Sequence, residues 1–443
     1  MPAGYDLGIF DQAVHNYARL RTPLVALKGP HYNILGDHFH PILVLLAPLY
    51  WLWDDPRMLL LAQAALIAVS VYIVHSFCRR YFGNTSAALL AAGYAFGWPL
   101  QAMADFDFHE VAFAVPLLAW AIDAFDRRDD RQLYASALLL LLVREDLGLV
   151  VLIFGLLRAA RAPRRAGFVL IGGGLAGYFF ATAIVIPYFS GDSSFGYWSY
   201  QALGPDVSSA LGTILRRPFL AAKLFVTPVV KAQTLLWMVA PLAFLPVVSP
   251  YLLTTMPLLA ERFFSSREHL WTTEFHYSAV AWPLLFLAAV DGARRMRIAN
   301  TAVGQALLIA LIVTVPVVGT VADKAMWPLQ RLLDGAAFAI GPHMRDQAAL
   351  IRAVPPNTCV EADDRLAAHL THTNLVTLPT LLGRAPDFIA IDLSEAEVGY
   401  QLPSPAATRQ SALAKGYRPV FERGSLLLLA SPNFSGQTAS CRP

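Results

Sequence analysis

The chain has 443 residues, of which 56% are hydrophobic and only 15% charged, against about 25% charge in an ordinary soluble domain. A net charge of +3, with no basic stripe carrying interleaved aromatics, disfavours nucleic-acid binding, and the apolar content excludes a disordered chain. A mean hydropathy of +0.49 places the sequence among polytopic membrane proteins, because so much apolar surface exceeds what one water-facing core can hide.

The N-terminus has neither a basic leader region nor an apolar run, so internal helices must direct insertion. A helix is expected from Asp6 to about Leu20, with Asp6 as its N-cap and Asp11 in its second turn. Residues 39 to 54 are apolar but contain Pro41 and Pro48 and end on Trp51, Trp53, Asp54 and Asp55, which suits a helix lying at an interface. Stretches long enough to cross a bilayer core, about 20 residues, follow near 57 to 78, 84 to 104, 108 to 125, 166 to 187, 230 to 248, 276 to 292 and 299 to 321. The apolar stretch 132 to 158 is interrupted at its middle by Arg144-Glu145-Asp146, leaving two halves too short to span independently.

Four short segments are basic: Arg79-Arg80, Arg127 to Arg131, Arg158 to Arg165, and Arg294 to Arg297. Positive charge in short loops marks the cytoplasmic side. All four lie there only if 39 to 54 does not cross and if 132 to 158 and 230 to 262 each go out and back. The expected organisation is then an extracytoplasmic first segment (1–56), a helical membrane domain (57–322) and an extracytoplasmic α/β domain (323–443). The last is read from a helix near Met344 to Ala353, strands at Thr358 to Glu361 and Phe388 to Asp392, an apolar run Leu375 to Leu378, a helix around Ala406 to Lys415 and a hairpin from Tyr417 to Leu429. Cys359 and Cys441 would share the oxidising compartment, either paired as a disulfide or as two free thiols, while Cys78 stays on the reducing side.

This topology gathers the unusual acids and histidines on the outer face. They are Asp6 and Asp11; Asp37, His38 and His40; Asp105, Asp107, His109 and Glu110; Arg144, Glu145 and Asp146; Glu261 to Arg267; and Glu274, His276 and Tyr277. Charge buried at membrane depth is expensive, which marks such groups as candidates for function. Asp37, His38, Asp107 and His109 are the residue types that hold a divalent cation such as Mg or Mn, and Arg262 and Arg267 can neutralise a phosphate. The aromatic run Phe195 to Tyr200 either stacks on a sugar ring or belongs to an interfacial belt.

With these residues in view, the sequence resembles the bacterial membrane-protein family known as domain of unknown function 2079. The resemblance rests on Tyr-Asp-Leu-Gly-Ile-Phe-Asp-Gln (5 to 12), Leu-Gly-Asp-His-Phe-His-Pro-Ile-Leu (35 to 43), Phe-Asp-Phe-His-Glu (106 to 110), Arg-Glu-Asp-Leu-Gly (144 to 148) and Phe-His-Tyr (275 to 277). That family in turn is similar to the GT-C class of integral-membrane glycosyltransferases. The resemblance implies an all-α polytopic fold with interfacial helices, a sugar donor carried on a polyprenyl phosphate, and a loop carboxylate acting as general base or metal contact. Carried onto this sequence, the base is Asp6 or Asp11, with Asp107, His109, Glu110, Arg144, Glu145, Asp146, His276 and Tyr277 around the substrate. The family's first span would precede Tyr5, where only four residues stand. The expected activity is sugar transfer at the outer face of the bacterial cytoplasmic membrane. The competing readings are a transporter or flippase relaying protons through Glu145, Asp146 and Asp107, and a non-catalytic scaffold presenting the C-terminal domain.

Overall fold

The computed structural model describes residues 4–191, 198–322, 326–333, 335, 338–382, 384–394, 403–434, 436 and 441. The first helix, α1 (Tyr5–Ala18), begins after Gly4 at φ 88°, and no side chain within the segment caps it. Asp6 is therefore not the N-cap expected from the sequence. The capping carboxylate arrives from a hundred residues away: Asp107 Oδ2 accepts the Gly4 amide at 3.0 Å and the Leu7 amide at 3.4 Å. This satisfies donors that every helix N-terminus leaves open. The interfacial stretch is a 3-10 segment (Pro41–Leu46) running into a short α-turn (Ala47–Tyr50), as two prolines without amide hydrogens dictate.

Helix α2 (Arg57–Phe82) follows, then α3 (Asn84–Ala95) and α4 (Trp98–Asp105). The single span expected over 84 to 104 is thus broken. At the break, a Cβ on Gly97 would lie 2.6 Å from the Trp282 ring, and Pro99 withholds an amide hydrogen. Likewise the stretch 108 to 125 becomes a 3-10 turn (Glu110–Phe113) and α5 (Ala114–Arg127). Two short helices, α6 (Asp130–Leu140) and α7 (Leu147–Ala159), meet at Arg144-Glu145-Asp146. Helix α8 (Arg165–Ser190) packs along α7 through glycines: a Cβ on Gly148 would meet the Gly174 carbonyl at 2.7 Å, and one on Gly167 the Ala159 amide at 2.3 Å. Only glycine permits that backbone approach.

Helices α9 (Val207–Arg216), α10 (Pro218–Val226) and α11 (Val229–Val239) follow, with an 80° bend between the last two. The expected span over 230 to 248 ends early in 3-10 turns at Pro241 and Pro246. Helix α12 (Leu252–Phe264) leads to α13 (Tyr277–Arg295), whose residues from Ser278 to Ala293 are all buried, making it the central post of the bundle. Helix α14 is Ala302–Ala322. Among the described residues, α2, α8 and α14 are long and apolar enough to cross a membrane, and the bent α10–α11 pair makes up to four.

Helix α2 also separates two chemically distinct ends. Near its start, Gln63 donates to the Met103 and Phe106 carbonyls and accepts the His109 amide. Near its finish, Arg80 pairs with Asp123 at 2.6 Å and Asp126 at 3.1 Å, while Tyr81 contacts Arg294. Gln63 and Arg80 are roughly 25 Å apart along the axis at 1.5 Å per residue.

The C-terminal part forms a five-stranded sheet in the order β2-β1-β3-β5-β4, built from β1 (Cys359–Ala362), β2 (Leu375–Thr377), β3 (Phe388–Asp392), β4 (Arg418–Arg423) and β5 (Leu426–Ala430). β1 pairs in parallel with β2 and β3, and β5 joins antiparallel between β3 and β4. Helices α15 (Pro342–Ala353) and α16 (Pro405–Ala414) accompany it. Every element read from the sequence here is present, because short alternating strands and capped helices are local signals. The sheet does not close its own core. Tyr5, Ile9, Ala13, Val25, Leu27 and Ile34 from the N-terminal segment fill the same cluster as Leu350, Val360, Val376, Phe388 and Leu428.

Candidate functional site

At the Gln63 end of α2 the chain brings together most of the acids and histidines singled out in the sequence. Helix α1 places Asp6 in its first turn, with the side chain 26% exposed and Oδ2 at 3.5 Å from His109 Nε2. His109 Nδ1 lies 3.1 Å from the Asp107 backbone carbonyl. A carbonyl only accepts, so Nδ1 carries the proton and Nε2, facing Asp6, is the basic nitrogen of the neutral ring. The His109 and His276 rings stack at 3.8 Å between centroids, and Phe106 and Tyr277 pack on His276.

Asp107 is buried, and its carboxyl is raised to about 6, first by burial and then by the negative charge of Asp6. A cleft lined by Gln63, Asp105, Phe106 and Asp107 opens alongside. Asp105, on the wall of this cleft, pairs with Arg331 at 2.5 Å.

A second layer is built by the tip between α6 and α7. Glu145 accepts from His38 Nδ1 at 2.7 Å and from the Phe39 amide at 3.0 Å, so the tip is tied to the Asp37-His38 loop. Burial pulls the His38 imidazole down, but the Glu145 carboxylate outweighs it and raises the ring to about 9. Arg144 is held by both oxygens of Asp146, at 2.7 and 2.6 Å, and reaches Glu261 at 3.4 Å. Glu110 is buried and interacts electrostatically with both His40 and Arg144. Lys28, not noted from the sequence, forms an ion pair with Asp37.

Several expectations change. Asp11 does not join this site: it is fully buried and accepts from Tyr50 Oη at 2.7 Å, Thr371 Oγ1 at 2.6 Å and His372 Nε2 at 2.6 Å. These partners make it a structural anchor, and no sequence signal linked residue 11 to residue 372. The proposed metal donors also diverge. Asp37 is engaged by Lys28, His38 by Glu145, Asp107 by the start of α1 and His109 by Asp6. As placed, the four do not surround one ion, so they do not fit a divalent cation. Arg262 is buried and donates through Nε to the Leu270 carbonyl and through Nη2 to the Ser278 hydroxyl, while its Nη1 is buried without a hydrogen-bond partner. Cys359 and Cys441 are joined in a disulfide, and Cys78 is buried. Of the aromatic run 195–200, residues 195 to 197 lie outside the described residues.

The fold is similar to that of the crystal structure of ArnT from Cupriavidus metallidurans bound to undecaprenyl phosphate. The two share 11% identity at a TM-score of 0.54, over 98% of this chain and 95% of that one. No curated protein matches the sequence. The family described as "Predicted membrane protein (DUF2079)" matches residues 1–428, and the chain belongs to that family.

Proposed function

We propose that the protein is an integral-membrane glycosyltransferase that moves a sugar from a polyprenyl-phosphate donor to an acceptor at the outer face of the bacterial cytoplasmic membrane. Three strands of evidence support this reading. The fold is shared with a structure solved with undecaprenyl phosphate bound. The sequence resembles the GT-C class. The Asp6–His109 pair and the arginines Arg80 and Arg294 lie at opposite ends of the bundle, an arrangement that agrees with basic loops on the cytoplasmic side.

The observation that carries the assignment is the Asp6–His109 pair. Asp6 is a partly exposed carboxylate held at the head of a helix whose N-terminus Asp107 fixes in place, whereas Asp11 has no free face. In the proposed reaction Asp6 takes the proton from the acceptor hydroxyl as its oxygen bonds to the anomeric carbon. The bond from that carbon to the phosphate oxygen breaks, and the electron pair leaves with the lipid phosphate. His109 Nε2 then relieves Asp6 of the proton. No step runs through a metal, since the four candidate donors do not converge.

The test is transfer of labelled sugar from a polyprenyl-phosphate donor in membranes containing the full chain. Wild type should transfer, and Asp6→Asn should fall by about 10²–10⁴-fold, the usual range for a lost general base. Undiminished transfer in Asp6→Asn overturns the assignment of the base. Movement of the lipid across the bilayer with no transfer overturns the enzyme in favour of a transporter.

A further inference from the structure

A second polar cluster, separate from the Asp6 site, joins three distant parts of the chain. His15 lies in the last turn of α1, Asp54 follows the interfacial tryptophans, and His372 precedes β2. We propose that His15, Asp54 and His372 form a binding site for a divalent transition-metal ion of the zinc class, which clips the C-terminal sheet onto the N-terminal segment.

The argument begins with the protons. His372 Nε2 donates to the buried Asp11 carboxylate at 2.6 Å, so in the neutral ring the lone pair sits on Nδ1. That nitrogen lies 3.1 Å from Asp54 Oδ1. His15 Nδ1 accepts from Arg19 Nη1 at 2.8 Å, so it too presents a lone pair, again 3.1 Å from Asp54 Oδ1. Its other nitrogen, Nε2, is buried with no hydrogen-bond partner, leaving the directed chemistry of the ring on the Asp54 side. The three ligand atoms all lie within 4.8 Å of one another. The Arg19 guanidinium supplies the positive charge among these electron pairs, at 2.8 Å from His15 Nδ1 and 3.1 Å from Asp54 Oδ2, and a metal ion would take its place at the imidazole.

The spacing suits zinc. Ligands bonded at 2.0–2.2 Å in tetrahedral array are roughly 3.3–3.5 Å apart, close to both nitrogen–oxygen separations here. Two imidazoles and a carboxylate match the metal's preference. The Asp11–His372 bond is the outer carboxylate that metal-binding histidines regularly use to fix their tautomer. Asp54 is 40% exposed and leaves one coordination position open to solvent, and Arg19, 39% exposed, can leave His15 Nδ1 while keeping its 3.1 Å contact to Asp54 Oδ2.

The full chain in detergent, stripped with chelator and then dialysed against zinc without reductant, should retain one zinc ion per chain by atomic emission. Its melting temperature should rise on zinc addition. Asp54→Asn keeps an oxygen to accept from Arg19 but removes the anionic ligand, and should fold yet bind no zinc and show no rise in melting temperature on zinc addition. His15→Gln should behave alike. The proposal is overturned if wild type retains no zinc after gel filtration or if Asp54→Asn retains as much as wild type. It is equally overturned if zinc is lost in Cys441→Ser but kept in Asp54→Asn, which would place the ion at the cysteine pair.

Discussion

Two carboxylates five positions apart on α1 have opposite fates, and the cause is what each meets across the fold. Asp6 faces His109 with part of its surface open, while Asp11 is enclosed by three donors. Asp107 is the third member of the set, and its role is double: it caps α1 through two amides and repels Asp6 through its charge. Its folded carboxyl keeps a proton up to about pH 6, whereas an unfolded aspartate releases it near 3.9. Between those values the folded state binds more protons, so stability falls as pH rises through that window and levels off above it. Asp107→Asn retains an oxygen to accept the α1 amides but cannot ionise. Melting temperatures measured from about pH 4 to 7 should show the wild-type decline flattened in the variant; parallel curves would refute the shift.

At the scale of elements, the hairpin of α6 and α7 is a strut whose tip is fixed by charge. Glycine contacts seat α7 on α8, and the Glu145 to His38 pair ties the tip to the loop below. The sequence marked Arg144-Glu145-Asp146 as a functional cluster because charge inside an apolar run is costly. In the structure Arg144 pairs with Asp146 and reaches Glu261, and Glu145 pairs with His38. Because His38 is raised to about 9, the pair contributes fully below the ordinary histidine value of about 6.5 and fades as pH rises through 9. The stability lost in Glu145→Gln should therefore be constant between about pH 5 and 6.5 and shrink toward pH 9. A gap that is unchanged at pH 9, followed by chemical denaturation, would show that the imidazolium is not the stabilising partner.

Across the whole molecule, the N-terminal segment is the mortar between bundle and sheet. One face of α1 sends Phe10 and Val14 into the helical core, while Tyr5, Ile9 and Ala13 complete the core beneath the sheet. Asp11 sits between these faces and latches the sheet through Thr371 and His372. Removing one partner of such a buried, charged arrangement costs about 3–5 kcal/mol, so Asp11→Asn should lower stability by about 3 kcal/mol. The loss should appear as faster hydrogen exchange in β1 and β2 as well as in α1, and exchange confined to α1 would count against the latch.

The sequence alone determined the elements of the C-terminal sheet and the positions of the long apolar helices, but not the breaks within the expected spans over 84–104, 108–125 and 230–248. Apolar runs, proline breaks and alternating strands are local or compositional, so they survive without knowledge of the fold. It also led to the family, because the motifs of the first 290 residues stand in order. Tertiary structure decided what each polar residue does. Whether Asp6 caps its own helix, whether Asp11 reacts or anchors, and whether Asp37, His38, Asp107 and His109 meet at one point depend on partners as distant as residues 4 and 107 or 11 and 372. Those partners are chosen by packing, since a buried charge must find its hydrogen bonds wherever the chain brings them.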